Sequence, residues 1–133
     1  MWGVARRRRE GNMGVQKKEK GMWWETVACD YLVREGYTIV DRNWRAGHCE
    51  LDVVARRGDA AHVVEVKTRR DSVFNSVNEL VRPSQQRSLL DAADAYAKSH
   101  GWVKAIQVDL LVVIEGEGAP HVEYFPEAIQ PGF

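Results

Sequence analysis

The chain has 133 residues, with 19 Lys+Arg against 19 Asp+Glu and a formal net charge of zero. That length excludes a large multi-domain enzyme and allows one domain that buries about two-thirds of its unfolded surface. Two cysteines exclude a disulfide scaffold and suit a reducing compartment. No apolar stretch reaches the roughly 18 residues of a membrane span, so a cytoplasmic protein with no membrane partner is expected.

The zero is a sum of unlike parts. Residues 1–20 carry seven bases and two acids, residues 115–133 carry four acids and no Lys or Arg, and residues 21–114 are nearly balanced. Segment 1–20, with Arg6-Arg7-Arg8-Arg9 and no apolar period, reads as a disordered basic tail. Such an arm can hold phosphates by counterion release. A solubilising tail, or upstream translation ahead of a start at Met13 or Met22, would look the same. Glu10–Lys17 is not an apolar h-region, which argues against an export signal.

From 21 to 126 one domain of alternating helix and strand is expected, followed by a short tail over 127–133. Trp24, Val27, Ala28, Tyr31 and Leu32 recur at helical spacing, and Gly36 closes that helix. Tyr37–Val40 reads as a strand continuing toward Trp44, and Glu50–Arg56 and Ala61–Lys67 as two more around Gly58-Asp59. Pro83 suits the first turn of a second helix whose stripe is Leu89, Leu90, Ala93, Tyr96 and Ala97. Ala105–Ile114 is the longest apolar run and suits a central strand. His121–Phe125 is the last predicted strand. Strand 61–67, helix 84–100 and strand 105–114 make a β-α-β crossover, so the fold class is α/β, a central mixed sheet flanked by helices.

Gly58-Asp59 fits a two-residue hairpin loop, which pairs residues whose numbers sum to 117. Asp52 then faces Glu65, and Glu50 faces Lys67. Side-chain alternation puts Leu51, Val53, Ala55, Val64 and Val66 on one face, with Glu50, Asp52, Glu65 and Lys67 together on the other. Opposed like charges about 5 Å apart repel. A cation relieves this, and converging carboxylate oxygens are what Mg²⁺ or Mn²⁺ requires. Lys67 beside them can orient or deprotonate a water and stabilise phosphate charge. The plainer reading is a solvated face with a Glu50–Lys67 ion pair worth under about 1 kcal/mol.

Asp52, followed by Glu65-Val66-Lys67 on the next strand, resembles the PD-(D/E)-x-K motif of restriction-endonuclease-like nucleases. More widely, Glu25, Gly36-Tyr37, Arg42-Asn43-Trp44-Arg45, Glu50-Leu51-Asp52, Glu65-Val66-Lys67-Thr68-Arg69 and Asp109 resemble the bacterial YraN family, proposed relatives of Holliday-junction resolvases. The resemblance implies a restriction-endonuclease-like fold. It also implies Asp52 and Glu65 as metal ligands, and Lys67 serving the attacking water. By the same resemblance Glu25 reaches that metal from the first helix; a glutamate favoured by the helix dipole is the alternative. Glu50 is a further ligand or a partner for Lys67. Gln85 stands where the family commonly opens the second helix with Lys, which removes a phosphate contact.

Arg42, Arg45, Arg69 and Arg70 are candidates for holding DNA phosphates, since positioning contacts go mostly to the backbone. Asp71–Val81 reads as a polar loop beside the site. His62 is expected to be structural, the tryptophans to be packing anchors, and Asp109 has no chemistry beyond the resemblance. Cys29, His48 and Cys49 lack the spacing of a zinc site. The leading expectation is a Mg²⁺- or Mn²⁺-dependent endonuclease acting on DNA, branched or single-stranded. The alternative is a non-catalytic nucleic-acid-binding module with the same fold. Paired cuts would need two active sites, which makes a homodimer attractive.

Overall fold

The computed structural model of the chain describes residues 13–70 and 76–132. Strands β1 (Thr38–Ala46), β2 (Cys49–Arg57), β3 (Ala60–Arg69), β4 (Ala105–Ile114) and β5 (His121–Ile129) form one sheet in that spatial order. β3 and β4 run parallel and the other neighbours antiparallel, so the sheet is mixed. Helix α2 (Pro83–Ser99) makes the crossover between the parallel pair, and helix α1 (Met13–Arg34) precedes the sheet.

The helices cover opposite faces. Trp24, Ala28 and Leu32 of α1 pack on Val53, Ala55, Val64, Leu111 and Val113. Leu89, Ala92, Ala93 and Tyr96 of α2 pack on Val54, Val63, Val108, Leu110 and Val112. With both faces covered, the inner strands need apolar residues at consecutive positions, which is why Val53-Val54-Ala55 and Leu110–Val113 are unbroken runs.

The hairpin register is as the loop length requires. Arg57 pairs with Ala60, Val54 with Val63 and Val53 with Val64, and Gly58 turns the chain with φ 65°. A positive φ at the first loop position suits a type II′ turn, open to glycine at little cost. A second two-residue turn, Gly47-His48 with Gly47 at φ 61°, joins β1 to β2 and was not anticipated as a hairpin.

Several expectations need correction. α1 begins at Met13, so residues 13–20, expected in a disordered tail, continue the helix. Residues 1–12 of that tail lie outside the described residues, as do 71–75 of the expected polar loop. The rest of the loop contains one 3₁₀ turn, Val77–Glu79. β5 does not stop near Phe125. After a register shift the strand resumes, and Ile129 pairs with Val108 and is buried, so the chain at 127–129 belongs to the sheet and not to a tail. Finally, Leu51 packs with the α2-side core and not with Val53 and Ala55. At this point the β1–β2 ladder lacks a pair between Arg42–Val53 and Trp44–Leu51, while its register shift lies further along, between Ile39 and Asp41. Opposite Asp52, Asn43 takes φ 55°, a left-handed conformation that asparagine tolerates better than most residues.

Candidate functional site

The hairpin and the N-terminal half of α2 enclose a cleft of about 710 Å³ whose lining includes Glu50, Asp52, Glu65, Lys67 and Gln85. Each part of the chain has a reason to be there. The β2–β3 register sets Asp52 beside Glu65, and Lys67 follows two residues on along the same strand face. Pro83 starts α2 at a fixed backbone angle, so that Ser84, Gln85 and Ser88 form the opposite wall. Across the cleft, the Gly47-His48 turn contributes Ala46, His48 and Cys49.

At the centre are two carboxylates with too few donors. Glu65 is 5% exposed. Asp52 accepts the Val66 N–H at 2.9 Å, and in its protonated form donates to the Glu65 carboxylate. Burial, with the adjacent Glu65 charge adding to it, pushes the Asp52 carboxyl up to about 7, against the Val66 N–H and the Lys67 charge. Burial also raises Glu65, with Lys67 opposing it. Lys67 Nζ lies 3.3 Å from Glu65 Oε2, and Gln85 Nε2 donates to the same oxygen at 3.2 Å. The pair therefore holds a proton near neutral pH in the absence of another cation, the behaviour of close like charges in a desolvated site.

The other expected residues divide. Glu50 lines the cleft, but its ion pair is with Arg45 at 3.9 Å, while Lys67 pairs with Glu65; the plainer Glu50–Lys67 pairing is replaced. Glu25 is not among the lining residues. It accepts a hydrogen bond from Asn43 Nδ2 at 3.1 Å and lies 3.9 Å from Arg42. Burial raises its carboxyl, and the charges of Asp52 and Glu50 add to that, so it shares the field of the cleft. Arg42 also donates to Thr26 Oγ1 at 3.2 Å. Arg42 and Arg45 are thus engaged by carboxylates, through exposed contacts worth at most about 1 kcal/mol each. Arg69 closes β3 and Arg70 follows it, exposed. Among the described residues, no group of three or more His, Cys, Asp or Glu side chains is arranged to hold a metal ion. Adjacent carboxylates facing an open cleft, Glu65 buried and Asp52 half-buried, still fit Mg²⁺ or Mn²⁺, because such ions are commonly held by one or two carboxylates, with water and phosphate completing the shell.

Residues 24–113, most of the chain, match the Uncharacterised protein family UPF0102. The chain belongs to the UPF0102, or YraN-like, family. A UPF0102 protein of Bacteroides fragilis is 40% identical over 107 residues, covering 80% of this chain and 88% of the relative. One from Anaeromyxobacter dehalogenans is 35% identical over 119 residues, 89% of each chain. One from Streptomyces coelicolor is 38% identical over 108 residues, 78% of this chain and 83% of the relative. The stretch matched to UPF0102 contains Glu25, Asp52, Glu65, Lys67, Gln85 and Asp109. No helix of the described residues is long and apolar enough to cross a membrane.

Asp109 is the buried polar residue whose role the sequence left blank. It is fully buried on the α1 side of β4 and accepts four hydrogen bonds, two on each oxygen. Gln107 Nε2 and the Glu127 N–H donate to Oδ1, each at 2.8 Å. Tyr124 Oη and His62 Nδ1 donate to Oδ2, the latter at 2.9 Å. Burial pushes this carboxyl up, but the four donors outweigh it and hold it below the usual carboxylate range. An ionised carboxylate only accepts, so the His62 Nδ1 carries its proton. His62 has the structural role expected of it, stacked edge-on against Tyr37 at 4.9 Å.

Proposed function

We propose that this UPF0102 protein is a restriction-endonuclease-like, PD-(D/E)xK-type nuclease that hydrolyses DNA phosphodiester bonds with Mg²⁺ or Mn²⁺ in the hairpin cleft. The observation that carries the reading is the adjacent Asp52–Glu65 pair, Glu65 buried and Asp52 half-buried, both raised and set beside Lys67 in an open cleft. Two adjacent carboxylates that repel cost the fold stability, and perturbed acids in a cleft are candidates for a working site. The mixed sheet with a helix on each face, and the Asp52, Glu65-Val66-Lys67 spacing, support the same class.

Asp52 and Glu65 would hold the cation, while Glu25 and Glu50 add negative potential from the margin. A divalent cation in that position supplies Lewis-acid charge and acidifies water. Lys67 Nζ, held against Glu65, orients the attacking water and offsets charge building on the phosphate. Arg69 and Arg70 at the end of β3, and Arg82 on the cleft wall, hold the flanking backbone phosphates. The test is incubation with branched, flapped and linear DNA in a Mg²⁺, Mn²⁺ and pH screen. Metal-dependent nicking that falls by at least about 100-fold in Lys67→Ala supports the reading. DNA that is bound but intact throughout the screen would leave the non-catalytic binding module in its place.

A further inference from the structure

We infer that Gln85 is a positioning residue for the Glu65 carboxylate, a role no motif of the sequence assigned to it. This rests on the proposed cation site and deepens it. Gln85 lies in the first turn of α2, half-buried at the cleft wall, and its Nε2 reaches across to Glu65 Oε2 at 3.2 Å. Lys67 Nζ approaches that same oxygen from β3 at 3.3 Å. Two donors on one oxygen, arriving from two different elements, stop the carboxylate rotating about its last torsion. They leave Oε1 without either donor, as the oxygen available to a cation.

A lysine at position 85 would put a second ammonium beside Glu65 and compete with a cation for its charge. The neutral amide fixes the carboxylate without that competition. The next residue shows the contrast. Gln86 Nε2 donates to Asn78 Oδ1 at 2.6 Å and to the Val81 carbonyl at 2.7 Å, so its amide secures the segment leading into α2 and not the cleft. Neighbouring glutamines of the same helical turn thus do separate work, one toward the cleft and one toward the fold.

The experiment compares Gln85→Met and Gln86→Met in the full chain, reading Mn²⁺ affinity by calorimetry and thermal melting without metal. Gln85→Met, which keeps length but removes the donor, is expected to raise the Mn²⁺ dissociation constant about tenfold and leave the melting temperature nearly unchanged. Gln86→Met should do the reverse. Gln85→Asn, too short to span the cleft, provides a second variant and should weaken Mn²⁺ as Gln85→Met does. Wild-type affinity in folded Gln85→Met or Gln85→Asn would overturn the inference and leave the cation site standing. A wild-type chain that bound no Mn²⁺ would overturn both.

Discussion

Two carboxylate centres lie on opposite faces of one sheet, and their chemistry runs in opposite directions. On the α1 face, Asp109 takes four donors and stays ionised below its ordinary range. On the α2 face, Asp52 and Glu65 share three donors, the Val66 N–H, Lys67 and Gln85, which do not outweigh burial and their mutual charge, and both are pushed up. The centres are close in the ladder, since Val64 pairs with Asp109 and Glu65 with Leu110. Burial alone therefore does not mark a functional carboxylate. What separates a fastening from a site is whether donors on the protein already meet the charge. Asp109 fastens β3, β4 and the bulged end of β5, whereas Asp52 and Glu65 leave charge for something from outside.

Removing each centre should move stability in opposite senses. The largest effect is expected for Asp109→Ala, which strands the four donors in the interior. It should cost about 3–5 kcal/mol and lower the melting temperature by about 10 °C or more, read by circular dichroism. A shift of about 2 °C would erase the distinction between the two centres. Asp52→Asn is expected to stabilise the metal-free protein by about 1–2 kcal/mol at pH 8 in urea denaturation. The asparagine oxygen still accepts the Val66 N–H and its amide can donate to Glu65, so the repulsion goes and the bonds stay. Destabilisation of similar size would mean that Asp52 is structural after all.

The pH dependence sharpens the same contrast with a smaller effect. Asp52 and Glu65 bind protons more tightly folded than unfolded, and for Asp52 the folded state carries the extra proton from its ordinary range up to about 7. Stability from this pair is then full at low pH and is lost as pH rises through that window. Asp109, depressed in the folded state, contributes stability above its ordinary range that is lost as pH falls through its lowered value. Urea midpoints of Asp52→Asn should accordingly fall less than wild type between about pH 5 and 8. Parallel profiles would contradict the assignment.

Much of the frame was legible because it depends on local rules. Gly58-Asp59 set the β2–β3 register, the period of Trp24–Leu32 set the buried face of α1, and Pro83 marked the start of α2. The features that escaped depend on distance or on a break in period. The donors to Asp109 come from 47, 15 and 18 residues away for His62, Tyr124 and Glu127, and nothing near position 109 announces them. Gln85 meets Glu65 across 20 residues and the width of a cleft. Leu51 joins the α2-side core where the β1–β2 ladder lacks a pair at Asn43, and β5 ran past Pro126 because a register shift absorbs it. Residues 13–20 lack the apolar period by which a helix is recognised, yet they form the first turns of α1, continuous with the amphipathic stretch from Trp24.

The central claim is that the Asp52–Glu65 pair awaits a divalent cation, and calorimetric titration of Mn²⁺ near pH 7 tests it most directly. Run in two buffers of different ionisation enthalpy, it also counts protons. Saturable binding that releases a proton from the pair, and that is lost in Asp52→Ala, is the expected result. No binding heat in the wild-type chain, or an unchanged isotherm in Asp52→Ala, would contradict the account.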